Sequence, residues 1–357
     1  MMRIGKLMIA TSCLLSTGLN GLAVEIDGSR DAEYGEALAI QQVQTGFGDP
    51  GSELDAAYAF IAEGRLLLML TGNLEANFNK LEIFIDSVAG GQNRISGTEN
   101  PNNDNWASKF DGFTFDAGFA ADFLLIVRHG FGGTKLDLDF AEIGAGKSGL
   151  LAGSFNPAAL GTNGPFAASG GLKLGFNNAN SGGVGSSQGQ PANVAAAAQV
   201  LTGIELEIPL PLIGNPNGEI KLCAMINGQG HDYLSNQFLG SMAVGTSNLG
   251  TDGQGNFMGG ASLGAIDLNN YSGEQFFVIP AQDAPLKVTA FEVNADLAIA
   301  AITWASSPGT FYAIESSTDL QVWEEIDDGV LAQGESTTYD FQVHAGLEKI
   351  FYRIVTR

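Results

Sequence analysis

Between Leu81 and Asp86 the chain alternates: Leu81, Ile83 and Ile85 fall on one side, and Glu82, Phe84 and Asp86 on the other, before Gly90-Gly91 breaks the run. A period of two is the mark of a strand with differently used faces. The pattern recurs. Leu54 to Ile61 and Arg65 to Thr71 flank Ala62-Glu63-Gly64 and predict a hairpin. Leu66 to Leu70 is apolar on both sides, so it is expected centrally, covered on both faces. Asp122 to Arg128 and Thr134 to Ile143 flank Gly130-Phe-Gly-Gly133, a second hairpin. Here Lys135, Asp137 and Asp139 are expected on a wet face and Leu136, Leu138 and Phe140 on a dry one. Further strands are predicted over 172–176, 203–208, 219–226 and 275–279, and Pro209 and Pro211 end the second of these or confine it to an edge. No sustained helical period interrupts the series, and short apolar runs ending in Gly, Asn, Asp or Pro predict an all-β chain.

The pattern changes near Ala281-Gln-Asp-Ala-Pro285. Residues 24–280 read as a large antiparallel β-sandwich of jelly-roll type with long loops, 281–287 as a linker, and 288–357 as a small immunoglobulin or fibronectin III-like sandwich of about seven strands, with Trp304 and Trp323 as core anchors. Residues 144–200, dominated by Gly, Ala, Ser and Asn, are expected as loops draped on the large sandwich, with a short helix within 191–199.

Composition narrows the function. The 357 residues carry 39 acidic against 16 basic side chains, a formal charge of −23. Such a surface repels phosphate backbones and anionic bilayers, so nucleic acid is excluded as a partner. Residues 1–23 read as a signal peptide: Arg3 and Lys6, then Leu7 to Ala10 and Leu14-Leu15, then Gly21-Leu-Ala23. The mature chain is thus expected to be secreted or at the cell surface, without a transmembrane anchor. Cys13 lies in that segment, leaving Cys223 without a disulfide partner, packed as a small hydrophobe.

Several stretches resemble a known family. These are Gly51-Ser-Glu-Leu-Asp55, LTGNLEANFNKLEIFIDSVAGGQN (70–93), FDGFTFDAGFAADF (110–123), IPLPLIGNPNGEIKLCAMINGQGHDYLSNQFLG (208–240) and Glu274 to Val278. Together they resemble a family of secreted β-sandwich proteins of planctomycetes and verrucomicrobia. The opening Glu25 to Tyr34 is similar, more distantly, to DOMON-like and family-nine carbohydrate-binding sandwiches. WASSPGTFYAIESSTDLQVW (304–323) with FYRIV (351–355) looks like a C-terminal module of verrucomicrobial secreted proteins. Many members of the first family end instead in a sorting signal with a membrane helix, and none is expected here.

Three chemistries compete for the loops. Glycan contact would draw on Trp106, expected exposed after a polar loop, and on His231, Asp232, Tyr233 and Asn236. Calcium would draw on oxygen donors at Asp86, Asn93, Asn103 and Asp104, against the alternative that these only close Asx turns. Catalysis has the least support: no Gly-x-Ser-x-Gly elbow, HExxH pair or P-loop occurs, and His231-Asp232 near Ser235 is adjacency without triad geometry. A haem held by His129 and Met69 has no further sign in its favour. The expected function is a secreted non-catalytic binding protein for an extracellular glycan or cell-surface component, calcium assisting. The alternatives are a matrix protein that self-associates and, third, a secreted hydrolase.

Overall fold

The computed structural model describes residues 24–158, 160–231, 233–250, 263–281, 286–294, 299–342 and 350–356. The segment read as a signal peptide lies outside them, as does Asp232. The chain divides into two compact units, ending and beginning at Gln282 and Asp283.

The first unit is built on two antiparallel sheets. One has six strands in the order β1 (Ala39–Ile40), β2 (Glu53–Ala62), β3 (Arg65–Asn73), β10 (Gly203–Pro209), β9 (Lys173–Phe176) and β8 (Asn163–Ala167). The other runs β12 (Phe238–Leu239), β11 (Ile220–Asn227), β4 (Lys80–Asp86), β5 (Phe123–Gly130), β6 (Lys135–Glu142) and β7 (Gly149–Phe155), with β13 (Phe277–Ile279) also on β11. The sheets bury their facing rows together: Leu66, Leu68 and Leu70 of β3 share a core with Leu81, Ile83 and Ile85 of β4 and Leu125 and Val127 of β5. β3 lies between β2 and β10 and is buried on both faces, as its unbroken apolar run predicts.

The outer face of the seven-stranded sheet is not wet. Phe84, Leu124, Ile126, Cys223 and Met225 point there into a second core closed by residues 95–121, 234–249 and 263–276. Phe84 is its centre, with ring centroids 4.9 Å from Phe115, 5.4 Å from Phe110 and 6.2 Å from Trp106. Edge-to-face packing of this kind adds to the burial of the rings themselves. The molecule therefore has a third, aromatic layer. Asp137 and Asp139, expected in water, are buried beneath it.

The Gly/Ala/Ser/Asn-rich stretch also departs from expectation. It supplies β7 and β8 where loops were expected, together with β9, the strand expected over 172–176, and the short helix α2 (Val194–Ala197) within its expected span, after α1 (Trp106–Lys109). Backbone pairing onto an existing strand needs no apolar side chain, so β6 and β10 template sequences that could not fold alone.

Among its described residues the second unit has six strands in two sheets: β14 (Val288–Asn294), β15 (Ile299–Ala305) and β18 (Ser336–Gln342); and β17 (Glu324–Leu331), β16 (Phe311–Ser317) and β19 (Phe351–Thr356). Trp304 is buried at its centre, against Tyr312. Trp323 is not in that core; it is half-buried, with the Arg353 guanidinium 4.2 Å above its ring. Among the described residues, no helix is long and apolar enough to cross a membrane.

Candidate functional site

At one end of the covered outer face the aromatic side chains give way to charge. Strand register places Lys80 between Asn227 and Arg128, and Arg128 opposite Asp137. Glu82 and Asp139 lie in the next row, on either side of Ile126. Two loops descend on this patch. The first brings Asp104, whose Oδ2 accepts from Lys80 Nζ at 2.7 Å and whose Oδ1 lies 3.0 Å from Arg128 Nη1. The second brings His231, which bonds Asp104 Oδ2 through Nε2 at 3.0 Å and Glu82 Oε1 through Nδ1. Arg128 Nη2 also reaches Asp139 at 2.6 Å, and Lys135 reaches Asp137 at 3.1 Å. Asn227 donates to Glu82 Oε2, and its own oxygen accepts from the amides of Gly228 and Tyr233, so the loop entry is fixed to the sheet.

With His231 protonated, four cations meet four carboxylates. Burial pulls the His231 pKa down, but its bonds to Asp104 and Glu82 outweigh that and hold it above the ordinary imidazole value. Burial also opposes ionisation of Asp104, yet His231, Lys80 and Arg128 hold its carboxyl well below the usual range. Asp139 goes the other way: burial pushes it up to about 6 against the pull of Arg128. Asp104, Asn105 and His231 all have left-handed backbones. Asn, Asp and His tolerate that region best among non-glycine residues. The arrangement pins two loops to the sheet. Ser235, four positions after His231, is engaged elsewhere: it donates its hydroxyl to the Ile226 carbonyl and accepts from the Gln237 amide.

The residues proposed for glycan contact do not form a platform. Trp106 is fully buried against Phe84; it opens α1, and its ring enters the aromatic layer. Asn236 is buried, donating to the carbonyls of Gln44 and Thr246. His231 is spent on the ion network. Tyr233 is half-buried and stacks on Phe47 at 6.2 Å.

The calcium set is likewise dispersed in role. Asp104 faces cations. Asn93 turns its amide nitrogen to the carbonyls of Phe115, Asp116 and Phe119. Asn103 packs where a Cβ on Gly149 would lie 2.3 Å from its Oδ1. Asp86 accepts from the Ala120 amide at 3.1 Å, a loop-closing bond. The haem pairing fails on topology: His129 packs on Phe176 in the inter-sheet core, whereas Met69 faces outward from the other sheet.

Asp86 does open onto solvent in another way. It lines a surface cleft of about 390 Å³ with Ser87, Asn215, Asn217, Glu219 and Lys221. Lys221 is its register partner on β11 and donates to the Gly118 carbonyl at 2.7 Å. Burial, offset in part by the Ala120 amide, raises the Asp86 pKa. Sequence reasoning missed Lys80, Glu82 and Arg128. A charged residue on the second face of an apolar strand reads as solvated unless the covering layer is known. No protein-family model matches the chain, and no curated protein matches it.

Proposed function

We propose that the chain is an exported, non-catalytic binding protein whose ligand surface is the cleft beside Asp86, and that the ligand is a glycan of a cell surface or matrix. One observation carries this reading. The cleft is of a size that takes a small ligand, and its wall presents carboxylates at Asp86 and Glu219, amides at Asn215 and Asn217, and the Lys221 ammonium. That mixture of acceptors and donors suits hydroxyl groups. It has no aromatic floor, so recognition would rest on hydrogen bonds and affinity per site would be weak. A glycan array read with wild type and Asn215→Gly/Asn217→Ala tests it, glycine being chosen because Asn215 has a left-handed backbone. Bound glycans should be lost in the variant while the melting temperature stays within about 1 °C. Equal binding by both proteins removes the cleft from the reading.

A second reading, assembly of the chain with its own copies, is favoured by the edge strand β7, where Leu150 and Leu151 are exposed, with Leu160 exposed in the connection that follows. Sedimentation at rising concentration separates it from a monomeric binding protein.

A further inference from the structure

The outer face of the six-stranded sheet carries a cluster that the ion network does not explain. β2 opens with Glu53 and Asp55, and a register shift between Leu54 and Ala56 marks a bulge at Asp55. Two apart on the strand, Glu53 and Asp55 share the outer side by ordinary alternation, and the bulge keeps Ala56 on that side as well, while Leu54 and Ala57 face the inter-sheet core. Both are wholly buried, and Asp49 approaches from the turn before the strand. Segment 178–186 closes over them. The amide of Gly185 donates to Asp49 Oδ2 at 2.6 Å, Asp49 N donates to Ser186 Oγ at 3.0 Å, and the Val184 amide reaches Glu53. At Gly183 the backbone presses so close that a Cβ would lie 2.1 Å from Asp55 Oδ1, so only glycine fits.

What this pocket lacks is positive charge. Among the described residues no ion pair reaches Asp49, Glu53 or Asp55. Glu53 Oε1 and Asp55 Oδ2 share one donor, Asn180 Nδ2, at 3.0 and 3.3 Å. Glu53 Oε2, Asp55 Oδ1 and Asp49 Oδ1 accept from no nitrogen or hydroxyl donor, and Glu53 and Asp49 can bond each other only through a proton held between them. Independently of the acids, Asn73 is buried opposite Glu53 in register, and its Oδ1 is also unpartnered while its nitrogen bonds the Asn178 and Asn180 carbonyls. Four buried oxygens without donors are costly unless something electropositive meets them. Left to themselves the acids hold protons: burial and the neighbouring charges of Asp55 and Asp49 push Glu53 up to about 9, and burial with Asp49 pushes Asp55 up to about 8.

We propose that a calcium ion binds between Asp49, Glu53 and Asp55, with Asn73 contributing its oxygen, and ties the 178–185 loop to the sheet. The donors are all oxygen, which selects a hard cation over zinc or copper. They come from a loop, a bulge and a strand, an irregular set that calcium accepts and magnesium, with its stiff octahedron, does not. No three His, Cys, Asp or Glu side chains among the described residues stand as a ready cage. The ion therefore takes the place that Asn180 Nδ2 holds between the two carboxylates. The assignment does not depend on the glycan reading or on the cleft beside Asp86.

The experiment uses the full mature chain stripped with EDTA. Calcium should bind in calorimetry and raise the melting temperature by on the order of 5 °C at a hundred times the dissociation constant. Magnesium should give less than a tenth of that shift. Glu53→Gln/Asp55→Asn should abolish the response and Glu63→Gln, an acid-to-amide change at an exposed turn, should keep it. Hydrogen exchange on the wild type locates the ion without any substitution: calcium should protect 49–55 and 178–185. Absence of calcium binding, an equal response to magnesium, a shift retained by the double variant, or protection confined to other segments would each overturn the proposal.

Discussion

Replacing Asp104 by alanine strands Lys80. The Lys80 side chain is 3% exposed, and among the described residues its ammonium is hydrogen-bonded to no side chain but Asp104. The other two cations keep partners, Arg128 through Asp139 and His231 through Glu82. A buried charge deprived of its partner costs about 3–5 kcal/mol. Asp104 is itself 25% exposed, so water can follow the deletion, and the lower end, about 3 kcal/mol, is expected. For a unit of this size that is a fall in melting temperature of roughly 6–12 °C. Urea unfolding followed by circular dichroism measures it. The same substitution in a Lys80→Met background should cost only about 1–2 kcal/mol, because the methionine leaves no charge to strand. A wild-type cost below about 1 kcal/mol, or an unchanged cost in the Lys80→Met background, would refute the claim that the loop is latched through this pair.

Three other outcomes follow from the structure. The His231 pKa is raised on folding by Asp104 and Glu82, opposed by burial and Lys80, so its contribution is complete below the unfolded value of about 6.5 and is lost as pH rises through the higher folded value; His231→Gln should flatten that limb in denaturant titrations. Glu53 and Asp55 are also raised, so without calcium the stability they supply should decline between about pH 5 and 9, and Glu53→Gln/Asp55→Asn should remove the decline. Trp106 and Trp304 are fully buried and Trp323 is partly open, so iodide should quench one of three tryptophans and Trp323→Phe should abolish the quenching, whereas a Trp106 in solvent would leave it intact.

Alternation fixed the central strands, though not β7 and β8, which form by pairing onto their neighbours. Leu81, Ile83 and Ile85 had to share a face whatever lay beyond them, and the apolar run Leu66 to Leu70 had to lie inside a sheet, because side-chain direction along a strand is a local consequence of backbone geometry. The −23 charge and the division near residue 282 were equally legible. Which face meets water is not local. Asp137 and Asp139 read as solvated, and Trp106 as exposed, because nothing near them in the chain announces that residues 95–121, 234–249 and 263–276 fold back as a third layer. The same holds for the candidate sites. Glu82 meets His231 across 149 positions, and Glu53 meets Asn180 across 127. A carboxylate's meaning depends on whether a cation, an amide or water reaches it, and only the closed chain brings those partners within bonding distance.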